Sequence, residues 1–220
     1  MAKYMIHTSV KRLNYVENFL IPSMIEQGIC KDDITVYLDE NREGNLKSCI
    51  KSFQSLSKEG GTWHLQDDII LSSKFKTITE LGDKGISCGF CNIYSKDMAQ
   101  GFRPVKDMWY SFPCIRIPNN IAHEFVDWFN TSAVQIKYKA YIADNKFDDS
   151  LFRFFMLERH GDMYVYNIAP NIVDNIDYLI GGSLINYQRT QSDVNSLYFN
   201  EDERKEMLKW KLQNSVYNHK

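Results

Sequence analysis

The first third of the chain alternates two kinds of segment, and this limits the fold more than any other feature. Residues 3–8, 33–38 and 62–65 are short runs rich in β-branched and apolar side chains. Between them lie longer amphipathic stretches, 13–27 and 45–56, whose apolar residues recur at helical spacing. Gly28 marks the stop of the first helix and Pro22 a kink or break within it. A strand–helix–strand–helix–strand order predicts an α/β fold with a mostly parallel sheet and helices on both faces. In such sheets, ligands gather beyond the carboxyl ends of the strands. Each of the three strands ends in polar residues: His7-Thr8-Ser9 with Arg12, then Asp39-Glu40, then Gln66-Asp67-Asp68.

The remainder is more mixed and predicts a smaller C-terminal region. Strands are expected over 86–94, 113–117 and 163–168, and helices over 120–129, capped by Asn119 or Asn120, and 148–159. Residues 170–183 read as a loop, with Gly181-Gly182 giving backbone freedom. The chain has 220 residues, which suits one domain over 1–200 and a peripheral charged helix in 201–220. A net charge of −2 without a dense Lys or Arg run argues against a nucleic-acid partner, because phosphate contacts need a basic face. No stretch approaches the ~20 apolar residues of a transmembrane helix. Five irregularly spaced cysteines fit a reducing compartment better than a disulfide framework, and a cytoplasmic location is expected.

Asp67-Asp68 follows an apolar strand. A turn or a helix cap is the plain explanation of an Asp-Asp pair. The alternative is chemical: adjacent carboxylates repel unless a cation neutralises them, and hard oxygen donors suit Mg²⁺ or Mn²⁺. Asp148-Asp149 opens the next acidic segment. Capping by free backbone amides accounts for one such acid, and general-base chemistry for the other.

The run Gly61-Thr62-Trp63-His64-Leu65-Gln66-Asp67-Asp68-Ile69-Ile70 resembles the acidic DxD-type motif of GT-A fold glycosyltransferases. Residues 5–12 resemble the first strand and nucleotide loop of that fold, and Val36-Tyr37-Leu38-Asp39 its second strand. Phe147-Asp148-Asp149-Ser150-Leu151 resembles the acidic pair that supplies the base in inverting members. Residues 170–177 resemble a closing loop found in several branches.

The resemblance implies a GT-A, Rossmann-like enzyme with a mixed acceptor-side region. It would transfer a sugar from a nucleotide-sugar, a UDP-sugar above all, to a carbohydrate or other hydroxyl acceptor. Asp68 would bind Mn²⁺ or Mg²⁺ directly, and Asp67 through water or the ribose. Gln66 would lie beside the ribose, Asp39 would meet the uracil ring, and Thr8, Ser9 and Arg12 would lie near the nucleotide and its phosphates. Asp149 would be the base and Asp148 a cap. Two departures stand out: Gln66 replaces the first acid, and Asn175 replaces a metal-binding His. A metal-dependent nucleotidyltransferase and a non-catalytic nucleotide-sugar-binding module are the competing expectations.

Other features receive a bland reading. Cys88-Gly89-Phe90-Cys91 is half a zinc site at best, with Cys114 and His123 the nearest further ligands. Gly89 is of more interest, since a backbone lying close to a sugar would favour glycine. Trp109-Tyr110 is expected in the core, His64 to be packed, and His160 to serve the end of a helix.

Overall fold

The computed structural model describes residues 2–81, 85–90, 100–107, 112–145, 148–169 and 171–175. The N-terminal strands form as the sequence predicts: β1 (Lys3–Ser9), β2 (Ile34–Asp39) and β3 (Gly61–Gln66). β1 is central to this unit and pairs in parallel with both neighbours, Ser9 opposite Asp39 and His7 opposite Gln66. Beyond β3 the sheet continues through β7 (Cys114–Pro118), β5 (Ser87–Cys88), β8 (Tyr164–Asn167) and β6 (Gly101–Pro104). The pairings make β6 and β7 antiparallel to the other five strands of this seven-stranded sheet. The architecture is therefore mixed α/β with a mostly parallel, Rossmann-like sheet.

Two cores flank the sheet. One face packs Phe53 of α3 (Asn45–Gln54), Phe125 of α5 (Asn119–Phe129) and Phe152 and Phe155 of α8 (Asp148–Arg159), with ring centroids 5.3–6.5 Å apart. Edge-on contacts at this spacing add to the apolar burial of the rings. The other face is covered by α1 (Leu13–Tyr15), a π-helical turn (Val16–Leu20) and α2 (Ile21–Glu26), with Phe75 from α4 (Phe75–Thr79). The π turn stands immediately ahead of Pro22. A proline has no amide to donate and its ring crowds the preceding turn, so the widened register is the form the predicted kink takes.

Several expectations change. Asn119 does not cap α5: Pro118 is the N-cap residue, and the Asn119 side chain instead accepts from Thr62 Oγ1 (2.9 Å) and donates to the Glu59 carbonyl (2.8 Å). The expected strand over 86–94 is regular only at β5, and residues 91–94 lie outside the described residues. Part of the expected loop is a strand: β9 (Val173–Asn175) pairs antiparallel with β4 (Ile69–Leu71) as a separate two-stranded ribbon. Gly181-Gly182, Trp109-Tyr110 and 201–220 lie outside the described residues. Two short helices were not anticipated, α6 (Ser132–Lys137) and α7 (Lys139–Asp144). Among the described residues, no helix is long and apolar enough to cross a membrane.

Candidate functional site

The carboxyl end of β1 is tied to the turn after β3 by charge. Arg12, just past β1, places Nη1 at 2.9 Å from Asp67 Oδ1 and 3.1 Å from Asp68 Oδ2. The other oxygen of Asp67 accepts the Thr8 hydroxyl (2.8 Å) and the Ser9 backbone amide (3.2 Å). All four side chains of this cluster are buried, Arg12 to 4% exposure and each aspartate to 8%. Strand alternation explains the grouping, since Thr8 stands one residue beyond the His7–Gln66 pair and so faces the side from which Asp67 leaves β3. Burial pushes the Asp67 carboxyl up, Arg12 opposes this, and the neighbouring Asp68 charge adds to the rise.

These contacts bear on the expected metal. Three of the four carboxylate oxygens in the pair accept from the chain's own donors. Two carboxylates and one guanidinium leave a formal charge of only −1. Hard oxygen donors are present, but a divalent ion bridging both carboxylates would compete with Arg12 for the oxygens it already holds.

Asp39 is tied to the loop that follows it. Its two oxygens accept the backbone amides of Glu43 (2.8 Å) and Gly44 (3.1 Å), fixing the loop that enters α3. Gly44 has φ +91°, and a β-carbon there would meet Asn145 Nδ2 at 2.4 Å, so glycine is needed on both counts. Asn145, in the left-handed region at the end of α7, donates to the Glu43 carbonyl and accepts from the Lys47 amide (3.1 Å). The sequence reading missed this anchor. Its one local signal is an Asn closing a helical stretch, a residue type that tolerates the left-handed conformation.

Through Asn145, the start of α8 is brought to the same end of the sheet as Asp39. Asp148 is buried and Asp149 half-buried. Asp148 Oδ1 accepts the Asp149 amide (3.0 Å), and Asp149 Oδ1 accepts the Ser150 amide (2.6 Å), which is the capping role anticipated for such acids. Burial, reinforced by the Asp149 charge, pushes the Asp148 carboxyl up to about 8. Burial, and then the charges of Asp148 and Asp149, also raise the Cys49 thiol of α3, which marks the closeness of the two helices.

The β4–β9 ribbon adds one more group. Its register sets Asn175 opposite Ile69, the residue that follows Asp68, and both Asp174 and Asn175 are buried. Below Ser9 and Gln66, His7 Nε2 and His64 Nδ1 lie 3.0 Å apart, joining β1 to β3. Burial lowers His7 to about 4 and His64 well below its usual range. His64 is packed as expected, but its partner His7 was not foreseen.

Three minor expectations resolve. Gly89 is required by packing within the protein: a β-carbon there would stand 2.7 Å from Cys114 Sγ and 2.9 Å from Ile172. Cys88 and Cys114 are buried, and burial raises the Cys114 thiol, which disfavours thiolate chemistry; Cys91 lies outside the described residues. His160 follows α8 directly and faces Glu124 at 3.1 Å.

No family model matches the chain, and no curated protein matches it. Among solved structures it is similar to HddC from Yersinia pseudotuberculosis, with 8% identity and a TM-score of 0.38 over 76% of this chain and 90% of that one. A likeness at that level carries no argument about what this chain does.

Proposed function

We propose that the chain is a GT-A-type glycosyltransferase that moves a sugar from a nucleotide-sugar, with UDP as the favoured nucleotide, to a hydroxyl acceptor. The observation that carries this reading is the convergence at one end of the parallel strands. Asp67-Asp68 from β3, Asp39 from β2, the Asp148-Asp149 start of α8 and Asn175 from the late ribbon all belong to that end. Segments more than 130 residues apart in sequence meet at that end, where ligands of parallel sheets gather.

In the proposed reaction Asp149 accepts the proton of the acceptor hydroxyl. The freed oxygen bonds to the anomeric carbon, the bond from that carbon to the phosphate oxygen breaks, and the nucleoside diphosphate leaves with the electron pair. Asp148, whose carboxyl burial pushes up, holds the Asp149 backbone amide. The Thr8–Ser9 turn, fixed by Asp67, forms the wall against which the nucleotide would bind. No step is assigned to a metal.

The test is release of UDP from a panel of UDP-sugars by the full chain, with simple saccharide acceptors. Asp149→Asn should lower turnover by at least about a hundredfold while nucleotide binding persists. Full activity in that variant would remove Asp149 from the role. Nucleotide binding without turnover would identify a binding module, and pyrophosphate release from a nucleoside triphosphate a nucleotidyltransferase.

A further inference from the structure

We infer that Arg12 is the resident cation of the Asp67-Asp68 pair, and that its guanidinium is what keeps divalent metal out of this site. The inference does not depend on the transfer chemistry proposed above.

The argument begins with geometry. A single nitrogen, Arg12 Nη1, lies within 3.1 Å of both carboxylates, so one charge serves two acids. An ion bridging Asp67 and Asp68 would compete for those same oxygens. Arg12 is also held in place: it lies in the turn that closes β1, where its own amide donates to the Ser9 carbonyl (2.9 Å), and its side chain is almost fully buried. An ammonium or guanidinium supplied by the fold needs no dehydration when a ligand arrives, whereas Mg²⁺ gives up its waters reluctantly.

Charge completes the case. With Arg12 present the two carboxylates and the guanidinium offer a net −1. Without Arg12 the same oxygens would form a buried dianion, and the Thr8 hydroxyl and Ser9 amide would still orient Asp67. That arrangement calls for a cation, and Mn²⁺ or Mg²⁺ is a hard ion suited to carboxylates. The two kinds of cation are thus alternatives at one place, and the sequence has installed the covalent one. Gln66, at the end of β3 beside the pair, is uncharged and adds no further negative charge.

The experiment measures Mn²⁺ binding to the full-length chain by electron paramagnetic resonance, after chelation and without nucleotide. Wild type should show no saturable site tighter than about 1 mM. Arg12→Gln should gain affinity on the order of a hundredfold or more, because a cation a few ångströms away has been removed. Asp67→Asn placed on Arg12→Gln should abolish the gain, since one carboxylate is then lost. A wild-type site in the micromolar range that disappears in Asp68→Asn would overturn the inference, as would a folded Arg12→Gln protein with no gain. If Arg12→Gln does not fold, the wild-type titration and its Asp68→Asn control decide the matter alone. Because the readout is metal binding, failure here leaves the transfer reaction untouched, and absence of transfer leaves this inference untouched.

Discussion

Asp67-Asp68, both buried, and Asp148-Asp149, one buried and one half-buried, relieve their charge differently. At Asp67-Asp68 a guanidinium holds both acids; at Asp148-Asp149 backbone amides donate to the carboxylates, and burial pushes the Asp148 carboxyl up to about 8. The cause is topological. The first pair leaves a strand end beside the turn that carries Arg12. The second opens a helix whose amides donate to carboxylate oxygens. The backbone element beside each pair thus decides which donors its carboxylates meet.

The largest expected effect comes from removing the cation. Arg12→Ala should cost about 3–5 kcal/mol at pH 7, as for other broken buried pairs, measured by urea unfolding. The loss should shrink toward pH 4, where the stranded carboxylates can take up protons. A loss below about 1 kcal/mol at pH 7 would mean that the cluster behaves as a surface contact and would end the contrast.

A smaller effect is expected at the Asp148-Asp149 pair. The Asp148 carboxyl titrates higher in the folded chain than its ordinary 3.8, so the folded state binds more protons between about pH 4 and 8, and stability falls as pH rises through that window. Asp148→Asn should remove this slope and add roughly 1–3 kcal/mol at pH 8, several degrees in Tm. An unchanged slope in the variant would show that Asp148 is ionised throughout.

The smallest effect serves as a control. Lys137 and Glu158 form an exposed ion pair at 2.5 Å, which Tyr138 joins through its hydroxyl (2.6 Å). Lys137→Ala should cost less than about 1 kcal/mol and lose even that at high salt. The Arg12 effect should survive the same salt. Equal salt sensitivity of the two would indicate that solvent reaches the buried pair.

Much of the fold could be read from the first 70 residues because each element there carries its own pattern. β1, β2 and β3 are short apolar runs, and α3 presents a stripe ending in Phe53. The missed elements lack such a pattern. Within α6 and α7 only Val134 is buried, so no apolar face announces a helix. β9 reads Val-Asp-Asn, which local propensity assigns to a turn; it is a strand because β4 pairs with it. The acids were visible for a similar reason to the strands: they stand at strand and helix ends. Their partners were not visible. The Arg12–Asp67 bond spans 55 positions, and nothing around Arg12 indicates which acid it meets. Asn119 shows the converse, with a residue type suited to capping drawn into a tertiary bond to Thr62 instead.

The ribbon of β4 and β9 also has a bearing on the order of assembly. Residues 2–71 contain a parallel three-stranded unit whose contacts close over modest separations, so it can gather while later residues are still being synthesised. The wall beside Asp68 is supplied only when Asp174 and Asn175 emerge, about a hundred positions downstream. A nascent chain would thus possess its cation-balanced acids well before the neighbourhood around them is enclosed, and a fragment ending before Ile172 would keep the sheet's first half while leaving that neighbourhood open to water.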